Sequence, residues 1–164
     1  MARALLVIDM QAGLWPETAS ADDVLATVQT LVARARAAGV PVVWVQDDHV
    51  QPPDLHPSLD PGTDPRIMKH HCDAFSETNL RATLDSLGTT DLVICGFHTD
   101  FCIDTTTRRA AQEGFAVTLV IDGHSTFDRP GLSAVSVVAH HNAILGNLAA
   151  KGAITTRPAV DVTF

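Results

Sequence analysis

The chain has 164 residues, of which 46% are hydrophobic and 18% charged, and it carries a net charge of −8. That length and balance fit one globular domain over residues 1–164 that buries a proper core, and they exclude a disordered chain. No Lys or Arg cluster is present, which argues against nucleic acid and anionic membrane as partners, and no apolar run reaches the roughly 20 residues that span a bilayer.

Ala4-Leu5-Leu6-Val7-Ile8 is a continuous apolar run ending at Asp9, the pattern of a strand buried on both faces of a parallel sheet. No cleavage-site pattern precedes it, so the expected location is the cytosol. Ser20 offers an N-cap, and Val24, Leu25, Val28, Leu31, Val32 and Ala35 mark one face of a helix that closes at Gly39. Val42 to Gln46 reads as a second strand. The connection from Asp47 to Pro65 contains Pro52, Pro53, Pro57, Pro61 and Pro65, and its length marks it as a lid or rim over a site.

Arg66 to Lys69 is a short third strand, followed by a helix carrying Leu80, Leu84 and Leu87 and stopped by Gly88. A fourth strand covers 92–95. The turn Gly96-Phe97-His98-Thr99-Asp100-Phe101 then delivers Cys102 to the first turn of a helix that runs to Gly114. Phe115 to Ile121 is a fifth strand with Asp122-Gly123 as its turn signal. Ala134, Val137, Val138, His141, Ile144, Leu145 and Leu148 recur at helical spacing, and Ala153 to Thr156 is a sixth strand. This alternation predicts an α/β fold: a doubly wound, six-stranded parallel sheet in the order 3-2-1-4-5-6 with helices on both faces.

Ligands of such sheets bind outside the carboxyl ends of the strands, where the winding reverses between the first and fourth. Asp9 and Cys102 reach that crevice by position alone. Lys69 ends the third strand, two strand spacings or roughly 9.5 Å away, a distance its side chain and that of Asp9 together cross. A helix N-terminus favours thiolate over thiol, so Cys102 is the candidate nucleophile. Asp9 would take its proton and pass it to a leaving amine, and Lys69 would hold both charges by opposite-charge stabilisation. Backbone N–H groups of the turn would receive the oxyanion. Each residue also has a plain structural reading: an Asp that forms a turn, a solvated Lys, an inert Cys. Of the other cysteines, Cys95 reads as a small buried hydrophobe and Cys72 has no evident role.

The blocks Leu6-Val7-Ile8-Asp9-Met10-Gln11, Lys69 ahead of Ala74-Phe75-Ser76-Glu77-Thr78-Asn79-Leu80, and Ile94-Cys95-Gly96-Phe97-His98-Thr99-Asp100-Phe101-Cys102-Ile103-Asp104-Thr105-Thr106 resemble the isochorismatase-like cysteine hydrolases, a group that includes nicotinamidases and carbamoylsarcosine amidases. The resemblance covers nearly the whole chain. It implies an Asp9-Lys69-Cys102 triad, a cis peptide between Phe97 and His98, and an oxyanion hole built from the N–H groups of His98 and Cys102. It also implies a homo-oligomer, for which the last helix is a plausible contact.

Two departures bear on substrate. True isochorismatases lack the nucleophilic cysteine, so Cys102 points instead to hydrolysis of a small-molecule amide through an acyl-thioenzyme, without cofactor. Nicotinamidases hold a metal with an Asp-x-His pair and a second histidine downstream. Asp47 and His49 reproduce the pair and are the metal candidates, but the downstream histidine does not align, and His56-Pro57 resembles the loop of smaller, metal-free relatives. No metal is therefore expected. A metal-dependent nicotinamidase is the alternative, and outside enzymes the alternative is a non-catalytic oligomeric α/β protein or a redox-sensitive thiol protein. Candidates for the substrate pocket are Gln11, Trp15, Phe75, His98, Thr126 and Phe127, the last two following strand five at the carboxyl edge beside His124 and Ser125. His141 reads as a core or interface histidine.

Overall fold

Residues Ala4 to Ile8 are each wholly shut off from solvent, which requires cover on both sheet faces and a neighbour on each edge. In the computed structural model, which describes residues 2–164, this strand (β1, Arg3–Ile8) lies between β2 (Val42–Asp47) and β4 (Asp91–Phe97), paired in parallel with both. β3 (Arg66–Lys69), β5 (Ala116–Ser125) and β6 (Ile154–Arg157) complete a six-stranded parallel sheet in the order β3-β2-β1-β4-β5-β6, as the pattern of elements predicts.

Helix α1 (Ala21–Ala37) covers one face, with Val28 and Leu31 fully buried among Leu5, Val7, Trp44 and Val93. Each such side chain contributes about 1.5–3 kcal/mol. Asp22 and Asp23 in its first turn and Arg34 and Arg36 in its last complement the helix dipole. Ser20 occupies the cap position, but its backbone is left-handed (φ 53°) and its hydroxyl makes no cap bond; the chain enters the helix instead through the Ala19 amide, which donates to the Thr126 carbonyl at 2.8 Å. Helices α2 (Leu80–Ser86), α3 (Asp104–Glu113) and α4 (Ala134–Leu145) supply the other face, which packs around Leu6, Ile8, Ile94 and Leu119. The stripe on α4 is buried only in part: Ala134, Val137 and Leu145 are covered, whereas Val138, His141, Ile144 and Leu148 are half-buried.

Three local expectations change. β4 continues through Gly96 and Phe97, and Gly96 is a strand residue: a Cβ there would stand 1.9 Å from the Ile8 carbonyl oxygen, and its φ of +122° disfavours any side chain. Asp122-Gly123 is no turn. β5 runs through it, and the register with β4 jumps from Ile94–Leu119 to Gly96–His124, so the extra residues form a bulge that carries His124 and Ser125 to the carboxyl edge. Cys102, finally, does not open an α-helix but lies in a π-helical turn (Thr99–Ile103) ahead of α3, where the Ile103 amide donates to the His98 carbonyl five residues back.

Candidate active site

β2 and β3 end on Asp47 and Lys69, and Asp9 follows the last residue of β1, so three charged side chains issue from one edge of three adjacent strands. Asp9 stands just past its strand in the left-handed region (φ 51°), a conformation that costs a non-glycine residue about 1–3 kcal/mol and clusters at functional sites. Its amide donates to the Val45 carbonyl at 2.9 Å, which anchors the residue. Asp47 and Lys69 are direct register partners.

Lys69 is fully buried, and its ammonium meets three acceptors: Asp9 Oδ2 at 2.8 Å, Asp47 Oδ2 at 2.9 Å and Cys102 Sγ at 3.2 Å. The thiol and an oxygen of each carboxylate lie within 4.8 Å of one another. Asp9 Oδ1 is buried and takes no hydrogen bond, which leaves a free lone pair on this carboxyl. The structure thus brings Asp9, Lys69 and Cys102 together, and adds Asp47. Sequence reasoning named Asp47 only as a metal candidate while expecting no metal, and gave it no place in the cluster; the signal for that place was available in the strand ends, where an acid, an acid and a base follow one another along one edge.

Burial dominates the proton distribution. It raises Asp9 to about 6 against the opposing pull of Lys69, so the carboxyl is mostly ionised at neutral pH. Burial and the Asp9 charge push the Cys102 thiol well up, outweighing Lys69, while the carboxylates and the sulfur keep Lys69 charged despite its own burial. Asp47, also opposed by burial, is lowered by its hydrogen bond from Lys69. These directions favour a thiol beside a carboxylate and an ammonium before a substrate binds, where the helix-start reading alone points to a thiolate.

The Phe97–His98 peptide is cis. His98 is buried, and its Nε2 lies 2.7 Å from Thr18 Oγ1, whose hydroxyl donates to the Leu14 carbonyl at 2.7 Å. With that proton committed, Thr18 accepts from His98, which fixes the Nε2–H tautomer; burial lowers the ring to about 4, so it is neutral. His124, also buried and lowered to about 4 by burial, bridges Thr99 Oγ1 (2.8 Å) and Asn142 Oδ1 (2.9 Å), which ties the π turn to α4. Neither Thr18 nor this bridge has a signature in sequence, since both join segments far apart in the chain.

The remaining pocket candidates separate. Gln11 is fully buried and spends its amide on backbone: it donates to the Asp47 and Pro53 carbonyls at 2.9 and 2.8 Å and accepts from the Asp47 amide at 2.8 Å. Phe75 packs in the core, its ring 6.0 Å from that of Phe115. Both are therefore structural supports. Trp15, Phe97, His98, Phe127 and Phe101 form a chain of ring contacts along the turn, with centroid separations of 5.3 Å (Trp15–Phe97), 5.7 Å (Phe97–His98), 5.3 Å (His98–Phe127) and 6.1 Å (Phe127–Phe101). The Arg129 guanidinium lies 4.2 Å from the Phe127 centroid and pairs with Asp100 at 2.6 Å, and Thr126 Oγ1 donates to Asp100 at 2.8 Å. The 47–65 connection is pinned against this wall rather than hung free: Ala12 N donates to Asp54 O and His56 N to Met10 O, both at 2.9 Å.

The Asp-x-His pair does meet, with Asp47 Oδ1 and His49 Nδ1 3.2 Å apart. The other Asp47 oxygen is held by Lys69, however, and the His56 ring stacks 4.2 Å from Trp15 while its Nδ1 accepts from the Ser58 amide. These residues do not fit a nicotinamidase-type metal set.

Comparison with known proteins agrees with this fold. Residues 3–159 match the family model for the isochorismatase domain. The chain is 36% identical over 147 residues to a streptothricin hydrolase of Streptomyces noursei, covering 82% of this chain and 58% of that protein. It is 30% identical over 149 residues to nicotinamidase 3 of Arabidopsis thaliana, covering 76% and 74%. The chain thus spans little more than half the length of the streptothricin hydrolases it matches. Among solved structures, an isochorismatase from Pseudomonas putida superimposes with a TM-score of 0.87 at 26% identity, covering 98% of this chain and 90% of that one. N-carbamoylsarcosine amidase from Thermoplasma acidophilum shares the fold, with a TM-score of 0.78 at 20% identity over 99% of each chain. The chain belongs to the isochorismatase family.

Proposed function

We propose that this protein is a cysteine hydrolase that cleaves a carbonyl C–N bond of a small-molecule amide through an acyl-thioenzyme on Cys102. The observation that carries the reading is the buried Lys69 ammonium in contact with Asp9 and Cys102, with an Asp9 carboxylate oxygen within 4.8 Å of the sulfur. Among the relatives, the names streptothricin hydrolase and nicotinamidase point the same way.

Cys102 gives its proton to Asp9 as the sulfur attacks the carbonyl carbon, so thiolate character develops only during the attack. The N–H groups of His98 and Cys102 receive the oxyanion. Asp9 returns the proton to the nitrogen as the C–N bond breaks, and amine leaves with a thioester in place. Asp9 then deprotonates a water that attacks the thioester; the C–S bond breaks and the sulfur regains a proton. Lys69 remains charged throughout and stabilises whichever neighbour is anionic. The ring wall from Trp15 to Phe127 offers apolar faces for a planar or compact substrate.

The test is a panel of small amides and ureides assayed for ammonia or amine release, with the accepted substrate then followed by intact-protein mass spectrometry. The expected result is turnover with a transient acyl adduct on Cys102, and a loss of about 10³-fold or more in Cys102→Ala with the fold unchanged. Turnover near wild type in that variant would refute the mechanism.

A further inference from the structure

Cys102 lies in the π-helical turn Thr99–Ile103, a geometry rare enough that surrounding contacts must hold it. Two successive residues of the turn are held by side chains from elsewhere: Asp100 by Thr126 and Arg129, and Thr99 by His124. We infer that His124 is a positioning residue for Cys102: a directed chain of hydrogen bonds from Thr99 through His124 to Asn142 keeps the turn in the register that sets the sulfur against Lys69 and Asp9. The inference deepens the hydrolase reading and rests on Cys102 as its nucleophile.

The direction of the chain follows from its far end. Asn142 Nδ2, on α4, donates to the Ile121 carbonyl at 3.2 Å, which leaves Asn142 Oδ1 facing His124 Nε2 at 2.9 Å. That oxygen only accepts, so Nε2 carries the ring proton. Burial lowers the ring to about 4 and keeps it neutral, so Nδ1 holds a lone pair and accepts from the Thr99 hydroxyl at 2.8 Å. His124 and Thr99 are 3% and 0% exposed, so breaking the chain leaves a buried polar group unpaired.

The β5 bulge brings the imidazole into reach. β5 advances from Leu119 to His124 while β4 advances only from Ile94 to Gly96, whereas an unbroken register would set Ile121 opposite Gly96. Gly96 and Phe97 lead into the turn, and the Phe101 and Ile103 amides both donate to the His98 carbonyl. A turn released at Thr99 can repack toward α geometry, which rotates Cys102 away from the Lys69 ammonium now 3.2 Å from its sulfur. A displacement of about 1 Å at a reacting atom costs on the order of 10²-fold in rate.

The test compares His124→Phe, Thr99→Val and His124→Asn with wild type by two readouts. The first is kcat and KM on an amide accepted in the substrate panel. The second needs no substrate: the rate of Cys102 alkylation by iodoacetamide across pH, followed by peptide mass spectrometry. The titrating groups around the sulfur are Asp9, Asp47, Lys69 and Cys72, and none of them changes in these variants. His124→Phe and Thr99→Val should lower kcat about 10- to 100-fold, with KM within about threefold of wild type. The displaced sulfur no longer passes its proton to Asp9, so the midpoint of the alkylation profile should rise by about one pH unit or more, toward the ordinary thiol range near 8.5. In His124→Asn the side-chain oxygen takes the place of Nδ1 and accepts from Thr99, so kcat should return to within about fivefold of wild type. The double variant Thr99→Val/His124→Phe should lose no more than either single one, because both break the same bond. An alkylation midpoint unmoved in both His124→Phe and Thr99→Val would overturn the inference, as would higher activity in His124→Phe than in His124→Asn. A wild type that hydrolyses no amide while the midpoint moves as stated would sink the hydrolase reading and leave the positioning role standing.

Discussion

Asp47 Oδ2 accepts from Lys69 Nζ at 2.9 Å while Asp9 Oδ2 lies 2.8 Å from the same ammonium, so Lys69 is shared between a fully buried carboxylate and a half-buried one. Burial is the main upward push on Asp9, and the charge of Asp47 adds to it. Asp47→Asn removes that charge while keeping the shape. The acid limb of kcat/KM should then move below that of wild type, and turnover should fall by about 10- to 100-fold as Lys69 loses that anchor. A pH–rate profile of both proteins measures this; an unmoved limb would show that Asp47 does not act on Asp9.

The same carboxyl sets the pH dependence of the wild type. On the proposed mechanism Asp9 is the base and acts only when ionised, and burial raises it to about 6. Activity should therefore be complete above that pH and be lost as pH falls through it, an acid limb near 6 rather than near 4. Asp9→Asn should abolish the limb along with turnover.

Lys69 is buried between two carboxylates, and truncating it strands Asp9 without a counter-charge. Lys69→Met should lower stability by about 3–5 kcal/mol, read from urea unfolding, besides removing activity. A change within about 0.5 kcal/mol would mean that Asp9 takes up a proton and relaxes without strain.

Gly96 admits no side chain because the Ile8 carbonyl oxygen occupies the place of a Cβ. Gly96→Ala must part β4 from β1 or shift the turn that leads to Cys102. A loss on the order of 3 kcal/mol or more is expected, with folded protein scarce at 37 °C.

The sheet was legible in the chain because its evidence is local. Five successive apolar residues before Asp9, the helical spacing from Val24 to Ala35, and a glycine after most helices determine element type and winding, and winding determines that β1 and β4 meet at the crevice. Asp9 and Cys102 reach that edge by strand order alone, whereas their grouping with Lys69 as a triad is what the resemblance to the isochorismatase-like hydrolases implies. Where local signals failed, a non-local contact had overridden them: Asp122-Gly123 reads as a turn until the β4 register draws it into a bulge, and Ser20 reads as a cap until Thr126 fixes the entry to α1.

Sequence alone determined which residues reach the carboxyl edge, since that depends on periodicity and strand order. Only the tertiary structure decided what they do to one another. That Asp47 pairs with Lys69, that Gln11 and Phe75 are supports, that burial lowers His98 and His124, and that burial pushes the Cys102 thiol up all depend on distances and burial between segments distant in the chain. Burial and Coulomb interaction change steeply over a few ångströms, and no spacing of residues along a chain specifies separations that fine.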